Sequence, residues 1–299
     1  MTEPAIQIEN LTCTFGSTVA VDNLSLEVEK GKIFGFIGEN GAGKTTTIRA
    51  MMGLLRPTSG KVTVMGINPL GGNTRLLQSV GYVSDDRAMY RWMKVSEVLR
   101  FNAGLYGTWD KPYAKRLLFE FELDPKKKVK QLSRGQIAKL ALLCALVPHP
   151  QALILDEASS GLDAIVRRTI LEKLIDVSSQ EETTIFLSSH LIEEVDRVAE
   201  DIAILCRGRL LIKGNKDEVR SSLSRVVFSG VHHVLDVNSQ DWVVSSKQAE
   251  NELQVVVSNL DDERLGVLKE RVNGTPQLVE MSLEDTFAEY TAWGKKGKG

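Results

Sequence analysis

Cysteine is scarce in this chain of 299 residues. Cys13, Cys144 and Cys206 are odd in number, far apart and never in a C-x-x-C pair. That excludes a disulfide framework or a thiolate zinc site and fits a reduced, cytosolic compartment. Long apolar runs are missing as well: the longest, Leu140 to Val147, is far too short to span a bilayer. The opening Met1-Thr2-Glu3-Pro4-Ala5 has no basic region followed by an apolar core, so no secretory signal is expected. Nor is there an excess of charge of one sign. A net charge of −2 gives no reason to expect a nucleic-acid partner. What is there is 42% hydrophobic and 25% charged, the composition of an ordinary globular protein. The length suits one large domain, or one with an appendage.

The most informative stretch is Gly38-Glu39-Asn40-Gly41-Ala42-Gly43-Lys44-Thr45-Thr46, which fits the phosphate-loop pattern G-x-x-x-x-G-K-[ST]. Ile33 to Ile37 before it reads as a short buried strand. After it, Ile48, Met51, Met52 and Leu55 mark one apolar face of a helix. Strand, glycine loop and helix aim successive backbone N–H groups at one point, which is an anion site. Lys44 is expected to reach the β/γ-phosphates of a nucleotide and Thr45 to offer its hydroxyl to Mg²⁺.

Other segments follow in order. Ile6 to Phe15 and Leu24 to Glu29 read as an antiparallel pair. Phe15 stacks on a base or belongs to the core, and the segment alone does not separate the two. Lys61 to Met65 reads as a strand entered through the turn Pro57 to Gly60, and Gly81 to Ser84 as a strand end opening into Asp85-Asp86-Arg87. Val95 to about Lys128 reads as helical, broken at Asp110-Lys111-Pro112 and Asp124-Pro125. Ser133 and Gln136, ahead of an apolar run, form a capping-box pattern, so Ser133 is the expected N-cap. The sharper reading makes this exposed Ser and Gly a second phosphate site.

Ala152 to Leu155 reads as a buried strand ending in Asp156-Glu157. Carboxylates at that end of a parallel strand lie where open α/β sheets bind ligands. Asp156 is expected to hold Mg²⁺ through water and Glu157 to act as general base or water-positioner. Ser159 to Asp163 reads as a turn into a helix. Thr184 to Leu187 is a further strand running into Ser188-Ser189-His190, and Ile202 to Leu205 is the last short strand of this part. His190, taken alone, reads as structural.

Taken together in this order, these motifs resemble the ATPase subunit of an ABC transporter, from Ile6 to about Gly214. The resemblance implies an α/β phosphate-loop NTPase core with a mixed sheet, an antiparallel β subdomain and a helical subdomain. It implies a Mg²⁺-dependent ATPase, with ATP and Mg²⁺ as ligands, that forms a head-to-tail homodimer with ATP at the interface. Gly38, Asn40, Gly41, Ala42, Gly43, Lys44, Thr45 and Thr46 would hold one nucleotide, and Ser133, Gly135 and Gln136 would serve the partner's. Glu157 would polarise the attacking water, His190 would contact the γ-phosphate, Phe15 would stack on adenine and Asp163 would face the other subunit. Three departures are visible. The signature is Leu132-Ser133-Arg134-Gly135-Gln136, with Arg134 in place of the usual Gly. Asp85 stands where a γ-phosphate-sensing Gln is usual, a candidate Mg²⁺ contact. Ala158-Ser159 replaces the usual Pro-Thr.

The family's implied partner is an integral-membrane permease, which would place the chain peripherally on the cytoplasmic face of the membrane. Arg87, Tyr90, Trp92 and Met93 are the candidate contact, with packing on the helical subdomain as the alternative. Residues 215–299 read as a separate small α+β module, following a nucleotide-binding domain over 1–214. Strands are expected at Val226 to Phe228, Val234 to Val237 and Leu253 to Val257, and helices at Asp261 to Val272 and Ser282 to Ala292. The stretch Met281 to Tyr290 is similar to the end of exporter-type ABC ATPases. An import ATPase with a solute-sensing tail, or an ATP-switched regulator without a transporter, are the alternatives. His232-His233 and the terminal lysines read as solvated surface.

Overall fold

The computed structural model describes residues 3–231 and 236–295. The expectations for His232, His233, Val234, Lys296 and Lys298 lie outside the described residues. The first part of the chain runs β1 (Ile6–Phe15), β2 (Thr18–Val28), β3 (Ile33–Gly38), α1 (Lys44–Met51), β4 (Ser59–Val64), α2 (Thr74–Ser79) and β5 (Val80–Val83). Three helices follow: α3 (Val95–Leu105), α4 (Lys111–Glu120) and α5 (Arg134–Leu146). Then come β6 (Ala152–Asp156), α6 (Ala164–Glu181), β7 (Thr184–Ser189), α7 (Ile192–Val198), β8 (Asp201–Cys206) and β9 (Arg209–Asn215). The last part holds α8 (Lys216–Ser221), β10 (Leu223–Ser229), β11 (Val243–Ala249), β12 (Glu252–Ser258), α9 (Asp262–Arg271), β13 (Thr275–Val279) and α10 (Leu283–Lys295).

The central sheet has the order β5-β6-β7-β3-β8-β9, parallel except for β9. β3, β6 and β7 are buried at every position. Their centres, Ile33–Ile37, Ala152–Leu155 and Ile185–Leu187, are apolar runs rather than alternations, as strands covered on both faces require. Successive side chains go to opposite layers. Phe34, Phe36 and Phe186 pack with the antiparallel sheet β2-β1-β4 and with α1, whereas Ile33, Ile37 and Leu187 pack against the helical layer. This is the expected α/β architecture, with its antiparallel and helical subdomains.

The helical stretch is less continuous than expected. α3 and α4 form, but 106–110 and 121–128 are turns and loop. Asp110 ends the first break by capping α4, its carboxylate accepting from the Tyr113 N–H at 2.8 Å. Ile202 to Leu205 is not the last strand of this part: β9 returns antiparallel along β8 through the turn at Arg207-Gly208. β9 is a half-exposed edge strand, so its sequence lacks a clean alternation.

The last part of the chain builds its own antiparallel sheet, β11-β12-β10-β13. β10, β12, α9 and α10 lie where expected. β11 and β13 were not anticipated, and Val237 sits in a 3-10 turn rather than a strand. Val226, Phe228, Val255, Val257 and Leu268 form a small core between this sheet and α9. α10 does something different. Leu283, Phe287 and Tyr290 are buried in the same apolar cluster as Ile202, Ile204 and Val195, so this helix closes onto the central sheet. Each such side chain, fully buried, stabilises by about 1.5–3 kcal/mol.

Candidate functional site

The strand order brings three chain ends together. β6, β7 and β3 are neighbours, with Asp156 opposite Ser188 and Ile37 opposite Ser189. The ligand crevice of an open α/β sheet lies outside such carboxyl ends.

From β3 the chain turns through Glu39 to Gly43 into α1. Asn40 and Gly41 are exposed, and Ala42 is buried with its carbonyl accepting from the Gly208 N–H at 2.9 Å. Gly43 caps the helix with φ 108°, and a Cβ there would lie 2.5 Å from the Ala20 carbonyl oxygen. Only glycine meets both demands. The Lys44 side chain is 5% exposed. Its ammonium donates to the Gly38 and Glu39 carbonyls at 2.6 and 3.2 Å and lies 3.0 Å from Glu157 Oε1. Phosphate oxygens offer Lys44 the same kind of acceptor, with charge added. Thr46 is half-buried on the first turn of α1.

Glu157 is the centre of the cluster. One carboxylate oxygen faces Lys44 and the other lies 2.6 Å from His190 Nδ1. Its backbone has φ 50°, the left-handed region that a bulky L-residue adopts only when its surroundings hold it there. The Ser188 carbonyl accepts from the Glu157 N–H at 3.2 Å. His190 is therefore not an isolated structural histidine; its ring is tied to the carboxylate proposed as the base.

Asp156 is 1% exposed and has hydroxyl partners only: Ser188 Oγ donates at 2.9 Å and Thr45 Oγ1 at 3.2 Å. Burial raises its pKa from the ordinary aspartate value. The two hydroxyls oppose that rise, and the charges of Glu157 and Asp85 add to it. A buried carboxylate without a cationic partner, beside a threonine hydroxyl, is an all-oxygen donor set. That suits Mg²⁺, which takes one or two protein ligands and keeps its remaining positions for water and phosphate.

Ser133 caps α5 as expected. Its hydroxyl accepts from the Gln136 N–H at 3.1 Å, and the Gln136 side chain accepts from the Ser133 N–H at 3.1 Å. Ser133 and Arg134 are exposed, but Gly135 is buried, which corrects the expected exposed Ser-Gly pair. A Cβ on Gly135 would stand 2.8 Å from Val166 Cγ2, so this glycine lets α5 approach α6. Ser133, Gly135 and Gln136 make no bond to Lys44, Glu157 or His190. Asp163 caps α6, accepting from the N–H groups of Ile165 and Val166. Phe15 is 52% exposed, which excludes the core reading. Asp85 is exposed and forms no bond to Thr45 or Asp156; only its charge is felt there.

Arg87 departs from the expected surface role. Its guanidinium donates to the carbonyls of Ser160 and Glu157 at 2.8 and 3.2 Å, so it braces the Glu157 loop from within. Tyr90 and Trp92 are exposed and Met93 packs on the helical core, so the segment divides between the two readings. Arg87 and Ser188 are the residues that sequence reasoning missed. The signal for Ser188 was present, as a pair of serines ending an apolar strand. Arg87 had none, because its partners are backbone carbonyls 70 and 73 positions away.

A family model described as ABC transporter matches residues 21–160. The chain is 34% identical over 208 residues to the bacitracin transport ATP-binding protein of Bacillus licheniformis, covering 69% of this chain and 68% of that one. It is 30% identical over 293 residues to an uncharacterized ABC transporter ATP-binding protein of Methanocaldococcus jannaschii, covering 96% of this chain and 99% of that one. A solved structure of the ATP-binding subunit of an ABC transporter matches with a TM-score of 0.66 at 26% identity, covering 73% of this chain and 92% of that chain.

Proposed function

The chain belongs to the ATP-binding subunits of ABC transporters, and from that premise we propose that it hydrolyses Mg-ATP between two copies of itself to power a membrane-embedded exporter. The observation that carries the reading is the placement of Glu157 between Lys44 and His190, beside the phosphate loop.

The chemistry follows from those contacts. The loop amides and Lys44 bind the β- and γ-phosphates, and Phe15 stacks on the adenine from the end of β1. Thr45 and Asp156 would hold Mg²⁺, which would supply charge neutralisation at the phosphate oxygens, with Asp85 adding only its charge nearby. Glu157 takes a proton from a water whose oxygen attacks the γ-phosphorus. The bond to the β-phosphate oxygen breaks, and ADP and phosphate leave. His190 orients Glu157 and faces the γ-phosphate. Phosphoryl transfer of this kind depends on positioning and charge more than on covalent help. Ser133, Gly135 and Gln136 complete the site of the partner copy, head to tail. Supporting this are the exposed Ser133 at the start of α5, its lack of any bond to the chain's own Lys44 cluster and the exposed Asp163 turn.

No helix among the described residues is long and apolar enough to cross a membrane. The permease contact is proposed at the exposed Tyr90 and Trp92; Tyr90 borders a groove of about 230 Å³ between the Asp85 segment, α3 and α5. The export direction rests on the likeness to a chain named for bacitracin transport and on the Met281 to Tyr290 stretch. The division into a nucleotide-binding domain over 1–214 and an accessory domain over 215–299 is supported by the separate sheet of β10 to β13. The test is capture of the tagged chain from detergent-solubilised membranes of its own host. A stoichiometric polytopic partner is expected. A chain recovered free of any membrane protein would favour an ATP-switched regulator instead.

A further inference from the structure

One fully buried carboxylate lies outside the cluster just described. Glu194, on α7, is 2% exposed. Its Oε2 accepts two hydroxyl hydrogen bonds, from Ser159 at 2.5 Å and from Ser189 at 3.0 Å. Its Oε1 lies 3.1 Å from Arg167 Nε, an ion pair. Arg167 in turn donates to the Leu162 carbonyl at 3.2 Å. These partners come from three different places. Ser159 is two positions beyond Glu157. Ser189 immediately precedes His190, and its hydroxyl also accepts from the Leu191 N–H at 3.0 Å. Arg167 and Leu162 flank Asp163, the turn that faces the second copy.

We propose that Glu194 is a positioning residue for ATP hydrolysis: its single carboxylate sets the Glu157 loop, the His190 strand end and the Asp163 turn at fixed separations. The inference rests on the proposed roles of Glu157 and His190. Burying a carboxylate is costly, and core packing alone would be served as well by an apolar side chain. What an apolar side chain cannot do is accept, at one oxygen, from a serine on the Glu157 loop and a serine at the end of β7. The Glu157 backbone needs such a hold, since its left-handed conformation persists only where neighbours over-determine it. Ser159 and Ser189 are 3% and 1% exposed, so no water competes for their hydroxyls. A catalytic pair that drifts by about 1 Å loses on the order of 10²-fold in rate.

The experiment compares full-length wild type with Glu194→Gln, Ser159→Ala and Ser189→Ala. ATPase turnover is normalised to nucleotide sites titrated with a fluorescent ATP analogue. Glu194→Gln is expected to keep affinity within about twofold while kcat falls by roughly 10 to 10²-fold. The serine variants keep the ion pair and fold, and each is expected to lose part of that rate. Adding Ser159→Ala to Glu194→Gln should cost less than the sum of the two single changes, because both weaken the same Ser159–Glu194 contact. Unchanged kcat in all three variants would overturn the proposal. So would losses in rate matched by equal losses in affinity or in the number of sites, which is how a purely structural residue behaves. A wild type that binds ATP without hydrolysing it would instead overturn the underlying reading of Glu157.

Discussion

Lys44 shows how few side chains this chemistry needs and how closely they depend on each other. The ammonium is held by two loop carbonyls and faces Glu157, whose other oxygen meets His190. On the proposed reading, arriving phosphate would compete for Lys44, which would couple binding to the freedom of the glutamate. At this scale the prediction concerns Glu157 itself. Glu157→Gln should retain ATP binding and lose about 10²- to 10⁴-fold in turnover, the usual contribution of a general base. Equilibrium binding alongside steady-state hydrolysis checks it, and unchanged turnover would remove Glu157 from that role. Most of this cluster was legible in the sequence, because its members sit at strand ends with strong local patterns. Arg87 was not, since a guanidinium aimed at backbone carbonyls leaves no mark in residue spacing.

Between elements, His149 forms a clasp. It follows α5 and precedes β6, and its two ring nitrogens meet Asp110 at 3.0 Å and Glu181 at 3.1 Å. Asp110 caps α4 and Glu181 is the last residue of α6, so one imidazole ties the helical subdomain to the sheet-packed helix. Tyr113 stacks on the ring at 5.0 Å. Partial burial alone would lower the His149 pKa, but the two carboxylates outweigh it and the net shift is upward. A pKa raised on folding means the imidazolium is favoured in the folded state. Its contribution is therefore fully present below the ordinary histidine value of about 6.5 and is lost as pH rises through the raised value. Wild type should exceed His149→Gln in urea midpoint by more at pH 6 than at pH 9. Equal differences at both pH values would refute the clasp. With the ring 47% exposed, solvent screens the pair and the effect is modest. The elements themselves were read from the sequence where burial makes a run apolar, as in β3, β6 and β7. β9, β11 and β13 escaped because half-exposed edge strands carry polar residues such as Ser245, Ser246 and Lys247 that break the pattern.

On the scale of the whole molecule, the last part of the chain is joined to the rest by α10. Its apolar face shares the core of the central sheet, and Lys295 at its end lies 2.8 Å from Glu39 of the phosphate loop. The sequence indicated the helix but not its docking, which depends on a surface made by β8, β9 and α7, assembled from distant parts of the chain. The larger assembly we propose is the head-to-tail dimer, in which each site would take Lys44 from one copy and Ser133 from the other. Complementation tests it most directly. Lys44→Ala removes the phosphate-binding ammonium. Ser133→Asp keeps a good N-cap for α5 while setting a carboxylate against the partner's phosphate. Each variant alone should be inactive. Mixed in equal amounts, half of the dimers pair one variant with the other and hold one intact site of two, so about a quarter of wild-type activity should return. A mixture as inactive as its components would contradict the shared site.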